Sequence, residues 1–411
     1  MATDFTLHRR AQECIAQSYL TNSKRPESLV KGVYPTHIRR GQGCFLWDHS
    51  GKKYLDFVTG LGTNIIGYGH DRVNAAISAQ LAHGYSHSLA THLELEAAEK
   101  LKELFPFVDA VKWLKTGSDA CLAAVKIARA ATGKNIVLSD GYHGWGDDFV
   151  SLTPPATGVP PRDWIGKLSE REHWLSQPDV AAVIVEPVIT DASDARREWL
   201  QQLRADCTKN GVLLIFDEII TGFRWPKFSV AECWGITPDL ICLGKAIANG
   251  MPLACVGGKY AVMNCGDYFI SSTYGGETLS LAAAKEVMTL LQTTYDCDWL
   301  WANGQRFLDE FNGLLPEKIT IEGYPSRGAF KGDLMTRGLF FQEACKAGML
   351  FGPGWWMNYP CIDEAKNAMN SIKAILARIG RGEVKLEGDL PSSPFAQQVR
   401  EQIPEQLQRQ A

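Results

Sequence analysis

Five polar segments of the sequence carry residue types that could do chemistry, and each directly follows a short apolar run. They lie at residues 115–120, 141–145, 186–187, 217–224 and 244–245. One polar group after a strand is ordinary, but packing alone does not require functional side chains after five runs. In open α/β sheets, ligands bind beyond the carboxyl ends of the strands. The five segments therefore predict a ligand site at one edge of a sheet.

Lys245 and Asp217 offer an amine and a carboxylate from two of these segments. Lys245 follows Leu243 and Gly244, and a lysine at the end of an apolar strand is suited to Schiff-base chemistry. Asp217 follows the apolar run 212–216. A buried carboxylate there is costly unless a cation, such as a protonated pyridine nitrogen, pairs with it. Taken singly, the two residues have plain alternatives, a surface lysine and a turn aspartate.

A phosphate site is predicted where residues 116–120 should begin a helix. Gly117 lets the backbone approach a ligand, and Ser118 or Asp119 can cap the helix. The unpaired N–H groups of a helix N-terminus bind phosphate readily. A simple helix cap is the alternative for this segment on its own.

The elements that must position these segments follow from the apolar patterning. Strand and helix patterns alternate between about residues 70 and 300, which predicts an α/β fold with a mostly parallel central sheet covered by helices. Predicted strands lie at 110–114, 135–138, 181–185, 212–216 and 240–243, and predicted helices at 73–82 and 93–104. Two further strands, 44–47 and 53–57, should form a hairpin around the turn 48–51.

Domain organisation follows from where this alternation begins and ends. We expect residues 1–60 to supply the N-terminal segment of a smaller α+β domain and residues 61–300 to form the large ligand-binding domain. Residues 301–411 should complete the small domain and end in a polar tail. Both termini therefore contribute to one predicted domain.

The bulk composition argues against several function classes. The formal charge is −4 with acidic and basic residues well mixed, so no tract favours nucleic acid or a membrane surface. No apolar run reaches the about 20 residues that span a bilayer, and residues 1–10 lack the apolar core of a signal peptide. The 11 cysteines form no C-x-x-C pair and no zinc spacing. This pattern predicts reduced thiols, no metal site and a cytoplasmic location.

Taken in order, these motifs resemble the class III pyridoxal-phosphate-dependent aminotransferases, in the branch that contains glutamate-1-semialdehyde 2,1-aminomutase. The resemblance runs from about residue 36 to residue 376. Its most specific parts are Asp217-Glu-Ile-Ile-Thr-Gly-Phe-Arg224, Thr237-Pro-Asp-Leu240 and Gly244-Lys-Ala-Ile-Ala-Asn-Gly-Met-Pro-Leu253, reinforced by Ser272-Thr-Tyr-Gly-Gly-Glu-Thr-Leu-Ser280 and Gly141-Tyr-His-Gly-Trp145. The resemblance implies a fold-type I transferase that binds pyridoxal 5'-phosphate.

The resemblance also implies roles around the cofactor ring. Lys245 would be the Schiff-base lysine and would move the proton between substrate carbon and cofactor, while Asp217 would keep the pyridine nitrogen protonated. Tyr142 would stack on one ring face and Ile219 on the other, with Glu186 near the cofactor. Lys245 and Asp217 are thus the predicted catalytic residues.

A second set of residues would bind the phosphate. The resemblance places Gly117 and Ser118 in the phosphate-binding turn. It implies that Thr273 reaches the phosphate from the neighbouring subunit. The resemblance therefore implies a homodimer with shared active sites.

Departures from the family bear on the substrate. Ile220 occupies a position where many transaminases of this class have glutamine, and an aliphatic residue there resembles the aminomutase branch. Arg25 is the candidate for binding a substrate carboxylate, because arginine binds carboxylates bidentately. A solvated surface arginine is the alternative. Trp145 is the candidate pocket residue, whereas Trp355 and Trp356 either line the pocket or pack.

The predicted function is amino transfer between a small amino donor and an aldehyde or keto acceptor, with the cofactor passing through pyridoxamine 5'-phosphate. The alternative is intramolecular amino transfer of the glutamate-1-semialdehyde 2,1-aminomutase type. An amino-acid epimerase is a third enzyme for the same scaffold. A non-catalytic member is a different class, against which the intact Lys245 and Asp217 argue.

Overall fold

The structure is a computed structural model that describes residues 2–152, 156–160, 162–170 and 175–392. These residues form two compact units. The central unit contains Thr63–Ile65 and His70–Trp301, and the terminal unit contains the described parts of Met1–Gly62, Ile66–Gly69 and Ala302–Ala411. From position 393 onward, the predicted polar tail lies outside the described residues. Among the helices of this part of the chain, none is long and apolar enough to cross a membrane.

Strands and helices are numbered in chain order. The strands are β1 Ile38–Gln42, β2 Phe45–Asp48, β3 Lys53–Asp56, β4 Ala110–Leu114, β5 Ile136–Asp140, β6 Ile165–Lys167, β7 Val180–Val185, β8 Leu213–Asp217, β9 Leu240–Leu243, β10 Ala254–Gly258, β11 Ile319–Tyr324, β12 Arg327–Gly332, β13 Met349–Leu350 and β14 Gly354–Trp356. The helices are α1 Ala2–Cys14, α2 Thr59–Gly62, α3 Asp71–Leu81, α4 His92–Leu104, α5 Gly117–Thr132, α6 Asp147–Val150, α7 Asp194–Asn210, α8 Val230–Trp234, α9 Tyr260–Met263, α10 Thr278–Thr293, α11 Cys297–Leu314, α12 Leu334–Lys346 and α13 Cys361–Gly380.

The central unit is built on a sheet with the strand order β4-β10-β9-β8-β7-β5-β6. The neighbouring strands β9, β8, β7, β5 and β6 pair in parallel. In contrast, β10 is antiparallel to both β9 and β4. Because β10 reverses direction against both neighbours, β4 points the same way as β9. Every strand of this sheet except β10 therefore ends at one edge, and the predicted mostly parallel sheet is confirmed.

Helices cover both faces of this sheet. The side chains of β7 pack against the helices on both faces. All of its residues are buried, which is typical of a parallel strand between two helix layers. Ala182 and Ile184 belong to the apolar cluster that includes α5, and Val183 and Val185 belong to the cluster that includes α7. The alternation follows from the two-residue period of a strand.

The terminal unit contains two small sheets, ordered β1-β2-β3-β13 and β11-β12-β14. The predicted hairpin is confirmed, since β2 pairs with β3 in antiparallel register. Asp48 closes its turn because Oδ1 accepts the N–H groups of Ser50 at 2.8 Å and Lys52 at 3.0 Å. Stacked phenylalanines form much of the core of this unit, with the rings of Phe57 and Phe351 4.2 Å apart.

Two strands of the central sheet lie outside the predicted set, and β8 is shifted by one residue from its predicted bounds. β6 has only three residues, and β10 has the sequence Ala-Cys-Val-Gly-Gly, whose glycines weaken a strand pattern. β8 runs to Asp217, one residue past the predicted end, because Asp217 pairs in register with Cys242 of β9.

Asp239 ties three strands and a helix together at the edge opposite the predicted site. Its Oδ2 accepts Arg204 of α7 at 2.6 Å and the N–H of Leu214 in β8 at 2.8 Å, and its Oδ1 accepts Lys259, which follows β10, at 3.0 Å. Burial acts to raise the pKa of Asp239, but the Leu214 N–H and the two cations outweigh burial and hold that pKa below its ordinary value.

Replacing Asp239 by asparagine should therefore destabilise the protein in a pH-dependent way. A lowered carboxyl pKa stabilises the fold above the ordinary value and loses that effect as the pH falls through the folded value. We expect Asp239→Asn to lower the free energy of unfolding by about 1–3 kcal/mol at neutral pH, and by less at about pH 3. Urea unfolding at both pH values measures this difference. Asp194→Asn, at a carboxylate that is 81% exposed, is the control and should have little effect. An equal loss for Asp239→Asn at both pH values would contradict the ionic role.

Candidate active site

Five predicted site residues lie at the carboxyl edge of the central sheet. Gly117 follows β4, Tyr142 follows β5, Glu186 follows β7, Asp217 ends β8 and Lys245 follows β9. Because β7, β8 and β9 are neighbours in the sheet, Glu186, Asp217 and Lys245 emerge side by side. The edge that topology favours for ligands thus carries the predicted functional groups.

Asp217 is a buried carboxylate with three hydrogen-bond donors. Its Oδ2 accepts Nδ1 of His143 at 2.7 Å and the thiol of Cys121 at 3.3 Å. Its Oδ1 accepts the N–H of Ile219 at 3.1 Å. An ionised carboxylate oxygen accepts about two hydrogen bonds. Oδ1 therefore retains the capacity for one more donor, whereas Oδ2 is filled.

His143 is the cation of this pair. Its side chain is fully buried, and its Nε2 lies 3.1 Å from the carbonyl oxygen of Asp140. A carbonyl only accepts, so Nε2 carries a proton, and Nδ1 must carry another to donate to the Asp217 carboxylate. Burial opposes the charged form, but the hydrogen bond to Asp217 and the charge of its carboxylate outweigh burial and raise the pKa of His143 to about 10.

Glu186 fixes the backbone that leads from β5 into the site. Its Oε1 accepts the N–H of Tyr142 at 2.8 Å. Gly141 has a φ of 114°, and a Cβ there would lie 2.9 Å from Oε1 of Glu186, so glycine is required for this close approach. Arg196 of α7 donates to the carbonyl oxygen of Glu186 at 2.9 Å and to that of Pro187 at 3.0 Å. These bonds hold the Glu186 carboxylate beside Tyr142.

Ile219 packs between two glycines and so brings two parts of the site together. A Cβ on Gly117 would lie 3.1 Å from Cγ2 of Ile219, and a Cβ on Gly244 would lie 3.0 Å from its Cδ1. The N-terminus of α5 and the turn at Lys245 are therefore both adjacent to this one side chain. The ring of Tyr142 is 62% exposed, which leaves it accessible to a ligand.

Thr116 caps α5, which corrects the predicted cap at Ser118 or Asp119. Oγ1 of Thr116 accepts the N–H of Asp119 at 3.2 Å, and the Asp119 carboxylate accepts the N–H of Thr116 at 2.9 Å. This reciprocal pair makes Thr116 the N-cap, and the helix begins at Gly117. The N–H groups of Gly117 and Ser118 lie in the first turn of α5, where no carbonyl oxygen of the helix can accept them. They are therefore the donors at this end that could bind a phosphate.

Ser118 and Trp145 meet beside this helix N-terminus. Oγ of Ser118 accepts the N–H of Trp145 at 3.2 Å. Gly144 permits the approach, because its φ is 100° and a Cβ there would lie 2.1 Å from Oγ of Ser118. The Trp145 side chain is 75% exposed. It is accessible to a ligand, and its pocket-lining role stays a prediction.

Lys245 has a strained backbone. Its φ of 43° lies in the left-handed region, which costs a residue other than glycine about 1–3 kcal/mol. Lys245 begins a short 3-10 turn that ends at Asn249, whose φ is 46°. The residues between them, Ala246, Ile247 and Ala248, are fully buried, and their packing maintains the conformation. Strain of this kind is concentrated at functional sites.

Thr273 lies in an exposed segment that leads into α10. Glu277 caps α10, since its Oε1 accepts the N–H of Leu279 at 2.6 Å. Oε2 of Glu277 also pairs with Lys115 at 3.0 Å, and Lys115 directly follows β4. The ion pair thus fixes the segment against the carboxyl edge of the sheet, and Thr273 remains accessible.

Three candidates lie in the terminal unit. Nη2 of Arg25 donates to the carbonyl oxygen of Ser392 at 3.2 Å, and its Nε donates to Oγ of Ser28 at 3.2 Å. A substrate role for Arg25 stays a prediction. Trp355 is fully buried and Trp356 is 8% exposed, so both pack within the terminal unit.

His143 and Cys121 carry no predicted role, although both contact Asp217. Asp217 lies 74 residues from His143 and 96 from Cys121 along the chain, so local patterning does not connect them. Weaker signals do exist. His143 belongs to the polar segment after β5, and Cys121 lies four residues after Gly117, on the same face of α5.

The arrangement fits an aromatic aldehyde that carries a ring nitrogen and a phosphate. Oδ1 of Asp217 can accept a ring N–H, and the helix N-terminus of α5 can bind the phosphate. Ile219 and Tyr142 offer apolar surface for a ring, and Lys245 offers an amine beside Gly244. These are the features that pyridoxal 5'-phosphate requires of a protein.

Comparisons with known proteins agree with this geometry. The family model described as Aminotransferase class-III matches residues 29–162 and 163–353. The chain is 34% identical over 297 residues to a glutamate-1-semialdehyde 2,1-aminomutase from Syntrophobacter fumaroxidans, which covers 66% of this chain and 68% of that protein. It is similar in fold to the Sphingopyxis sp. MTA144 FumI protein in its PLP internal aldimine form, with a TM-score of 0.85, 22% identity and coverage of 94% and 99%. An omega-transaminase from Sphaerobacter thermophilus gives a TM-score of 0.81 with 25% identity and coverage of 91% and 97%. The predicted fold-type I architecture is confirmed.

The imidazole of His143 should stay charged in the cofactor-free protein at about pH 8. A folded pKa of about 10, above the ordinary value of 6.5, stabilises the fold fully below about pH 6.5 and loses that effect as the pH rises through about 10. Nitrogen-15 NMR should show both ring nitrogens protonated at about pH 8, and Asp217→Asn should lower the pKa. A wild-type imidazole that titrates near its ordinary value would contradict the ion pair.

Proposed function

Because the chain belongs to the class III aminotransferase family, we propose that it moves an amino group between a small amino donor and an aldehyde or keto acceptor. The observation that carries this proposal is the meeting of three features at one sheet edge. They are the buried Asp217–His143 pair, Ile219 between two glycines, and the strained Lys245. Bound pyridoxal 5'-phosphate supplies an electrophilic aldehyde and an electron-withdrawing ring.

Asp217 and Lys245 are the proposed catalytic residues. Oδ1 of Asp217 would accept the proton of the cofactor's ring nitrogen, and His143 pairs with the other oxygen of that carboxylate. Lys245 would attach the cofactor, and its Nζ would move the proton at the substrate carbon. Ile219 and Tyr142 would hold the two faces of the ring.

Glu186 and α5 have positioning roles in this proposal. Glu186 holds the backbone of Tyr142 through a 2.8 Å hydrogen bond and so orients the stacking ring. The N–H groups of Gly117 and Ser118 bind the phosphate, which the positive end of α5 also favours. The Lys115 ammonium lies close by but is paired with Glu277. The phosphate charge is therefore stabilised chiefly by backbone donors of this subunit.

A second candidate function is intramolecular amino transfer within one amino aldehyde. Two observations favour it: the aminomutase name of the relative at 34% identity, and the aliphatic Ile220 in place of glutamine. Incubation with glutamate-1-semialdehyde and no external donor distinguishes the two. Formation of 5-aminolevulinate supports the second candidate, whereas a requirement for an added amino donor supports the first.

We propose that two copies of the chain form a homodimer with shared sites, with Thr273 reaching the partner's phosphate. Large apolar side chains are exposed on the central unit near this segment: Tyr85, Leu89, Phe269 and Tyr274 are 51%, 83%, 82% and 60% exposed. The carbonyl oxygen of Tyr85 accepts the N–H at the start of α10 at 3.0 Å, which places it close to the Thr273 segment. Exposed apolar groups of this kind mark interaction surfaces.

A cytoplasmic location is part of the proposal. All 11 cysteines lie in the described part of the chain, and none of them is joined in a disulfide. Thiols of a protein with this many cysteines persist in a reducing compartment.

Lys245→Ala should abolish amino transfer, because Lys245 is the only lysine of the turn 244–250 that follows β9. We expect wild-type protein to show a visible cofactor band that an amino donor bleaches, and the variant to bind the cofactor without that exchange. The rate should fall by several orders of magnitude. Lys134→Ala, at the opposite edge of the sheet, is the control and should keep both the band and the exchange. Exchange at the wild-type rate in Lys245→Ala would contradict the assignment.

Thr273→Ala should weaken cofactor binding, since a hydrogen bond to a charged group contributes about 1.5–3 kcal/mol, or roughly tenfold to a hundredfold in affinity. Thr293→Ala, in the last turn of α10, is the matched control. Mixing Lys245→Ala chains with Thr273→Ala chains should regenerate sites that contain both native residues if the sites are shared. A monomer by light scattering that binds the cofactor at full affinity would disprove the shared site.

A further inference from the structure

Cys121 is a fully buried thiol that contacts Asp217 of the proposed cofactor site. It lies on α5, four residues after Gly117, so it faces the same side of the helix as the phosphate-binding turn. Its Sγ is 3.3 Å from Oδ2 of Asp217, and the polar atoms of Cys121, His143 and Asp217 all lie within 4.8 Å of one another. The proposed mechanism gives this thiol no role.

Chemistry makes the thiol the donor in this contact. A carboxylate oxygen only accepts, so the proton between Sγ and Oδ2 belongs to sulfur. Burial, which is the largest cause, and the nearby Asp217 charge raise the pKa of the Cys121 thiol well above its ordinary value. The S–H group is therefore retained at any working pH.

The two oxygens of Asp217 consequently differ. Oδ2 accepts both the imidazolium of His143 at 2.7 Å and the thiol of Cys121 at 3.3 Å. Oδ1 accepts only the N–H of Ile219, at 3.1 Å, among the groups that the structure describes. A carboxylate held on one oxygen by two donors cannot exchange its oxygens without breaking both bonds.

We propose that Cys121 is a positioning residue for amino transfer: with His143 it occupies Oδ2 of Asp217 and leaves Oδ1 to hold the proton of the cofactor's ring nitrogen. This inference rests on the proposed function, because it needs pyridoxal phosphate at this edge. Without the thiol, Oδ2 has unused acceptor capacity and the carboxylate can rotate. The ring nitrogen then meets a less defined partner, while contacts to the rest of the cofactor are unchanged.

Two ring compounds distinguish positioning of the Asp217 carboxylate by the Cys121 hydrogen bond from a role of Cys121 in packing alone. The probes are pyridoxal 5'-phosphate and its carbocyclic analogue, in which C–H replaces the ring nitrogen, each titrated into cofactor-free protein. Cys121→Val removes the donor with little change in volume. It should weaken binding of pyridoxal phosphate by about threefold to tenfold, the range for one lost hydrogen bond, and leave binding of the analogue unchanged. Cys121→Ser retains a donor and should restore most of the lost affinity.

Cys255→Val is the matched control. Cys255 is also fully buried, in β10, and only burial raises the pKa of its thiol. The control should bind both probes as the wild type does. If Cys121→Val does not fold, Cys121→Ala replaces it in the same titrations. Equal weakening for both probes would show that Cys121 acts by packing alone and would overturn the inference. Wild-type protein that binds neither probe would overturn the proposed function, and this inference with it.

Discussion

The Asp217 carboxylate is stable in the protein interior only because the fold supplies a buried cation for it. An ionised carboxylate loses several kcal/mol of hydration on burial, and only a well-placed partner recovers that loss. His143 is such a partner, since the carbonyl oxygen of Asp140 fixes one ring nitrogen and Asp217 accepts the other. Asp140 ends β5 and His143 lies three residues after it, whereas Asp217 ends β8. The ion pair therefore depends on the strand order of the central sheet.

Asp217 and Asp239 are buried carboxylates at opposite edges of the central sheet. Their partners differ, and this difference distinguishes a structural carboxylate from a reactive one. Asp239 has a cation on each oxygen, Arg204 on Oδ2 and Lys259 on Oδ1. Asp217 has one cation, and its Oδ1 keeps acceptor capacity. Around Asp239 the backbone is ordinary, whereas around Asp217 it includes the strained Lys245. A ligand can donate a hydrogen bond to the unfilled acceptor of Asp217. Backbone strain such as that of Lys245 is concentrated at functional sites.

Much of this architecture could be predicted from sequence because buried parallel strands are continuous apolar runs. β4 and β9 have the predicted bounds. β10 is absent from the predicted strands because its two glycines weaken the strand pattern. The rule that ligands bind at carboxyl strand ends indicates Asp217 and Lys245 as candidates, and the family resemblance implies their roles. His143 and Cys121 could not be selected, because strand order and helix packing, not sequence spacing, bring them to Asp217. The cap of α5 at Thr116 depended on backbone geometry that residue preference alone does not determine. The predicted domain boundaries and the roles of the predicted site residues, from Lys245 and Asp217 to Arg25, Trp145 and Thr273, stay predictions.

A crystal structure with pyridoxal 5'-phosphate bound tests the central claim most directly. We predict that the ring nitrogen lies within hydrogen-bonding distance of Oδ1 of Asp217, with the ring between Ile219 and Tyr142 and Nζ of Lys245 joined to the former aldehyde carbon. The phosphate should lie at the N–H groups of Gly117 and Ser118. A ring bound away from the carboxyl edge, or with its nitrogen turned away from Asp217, would contradict the account.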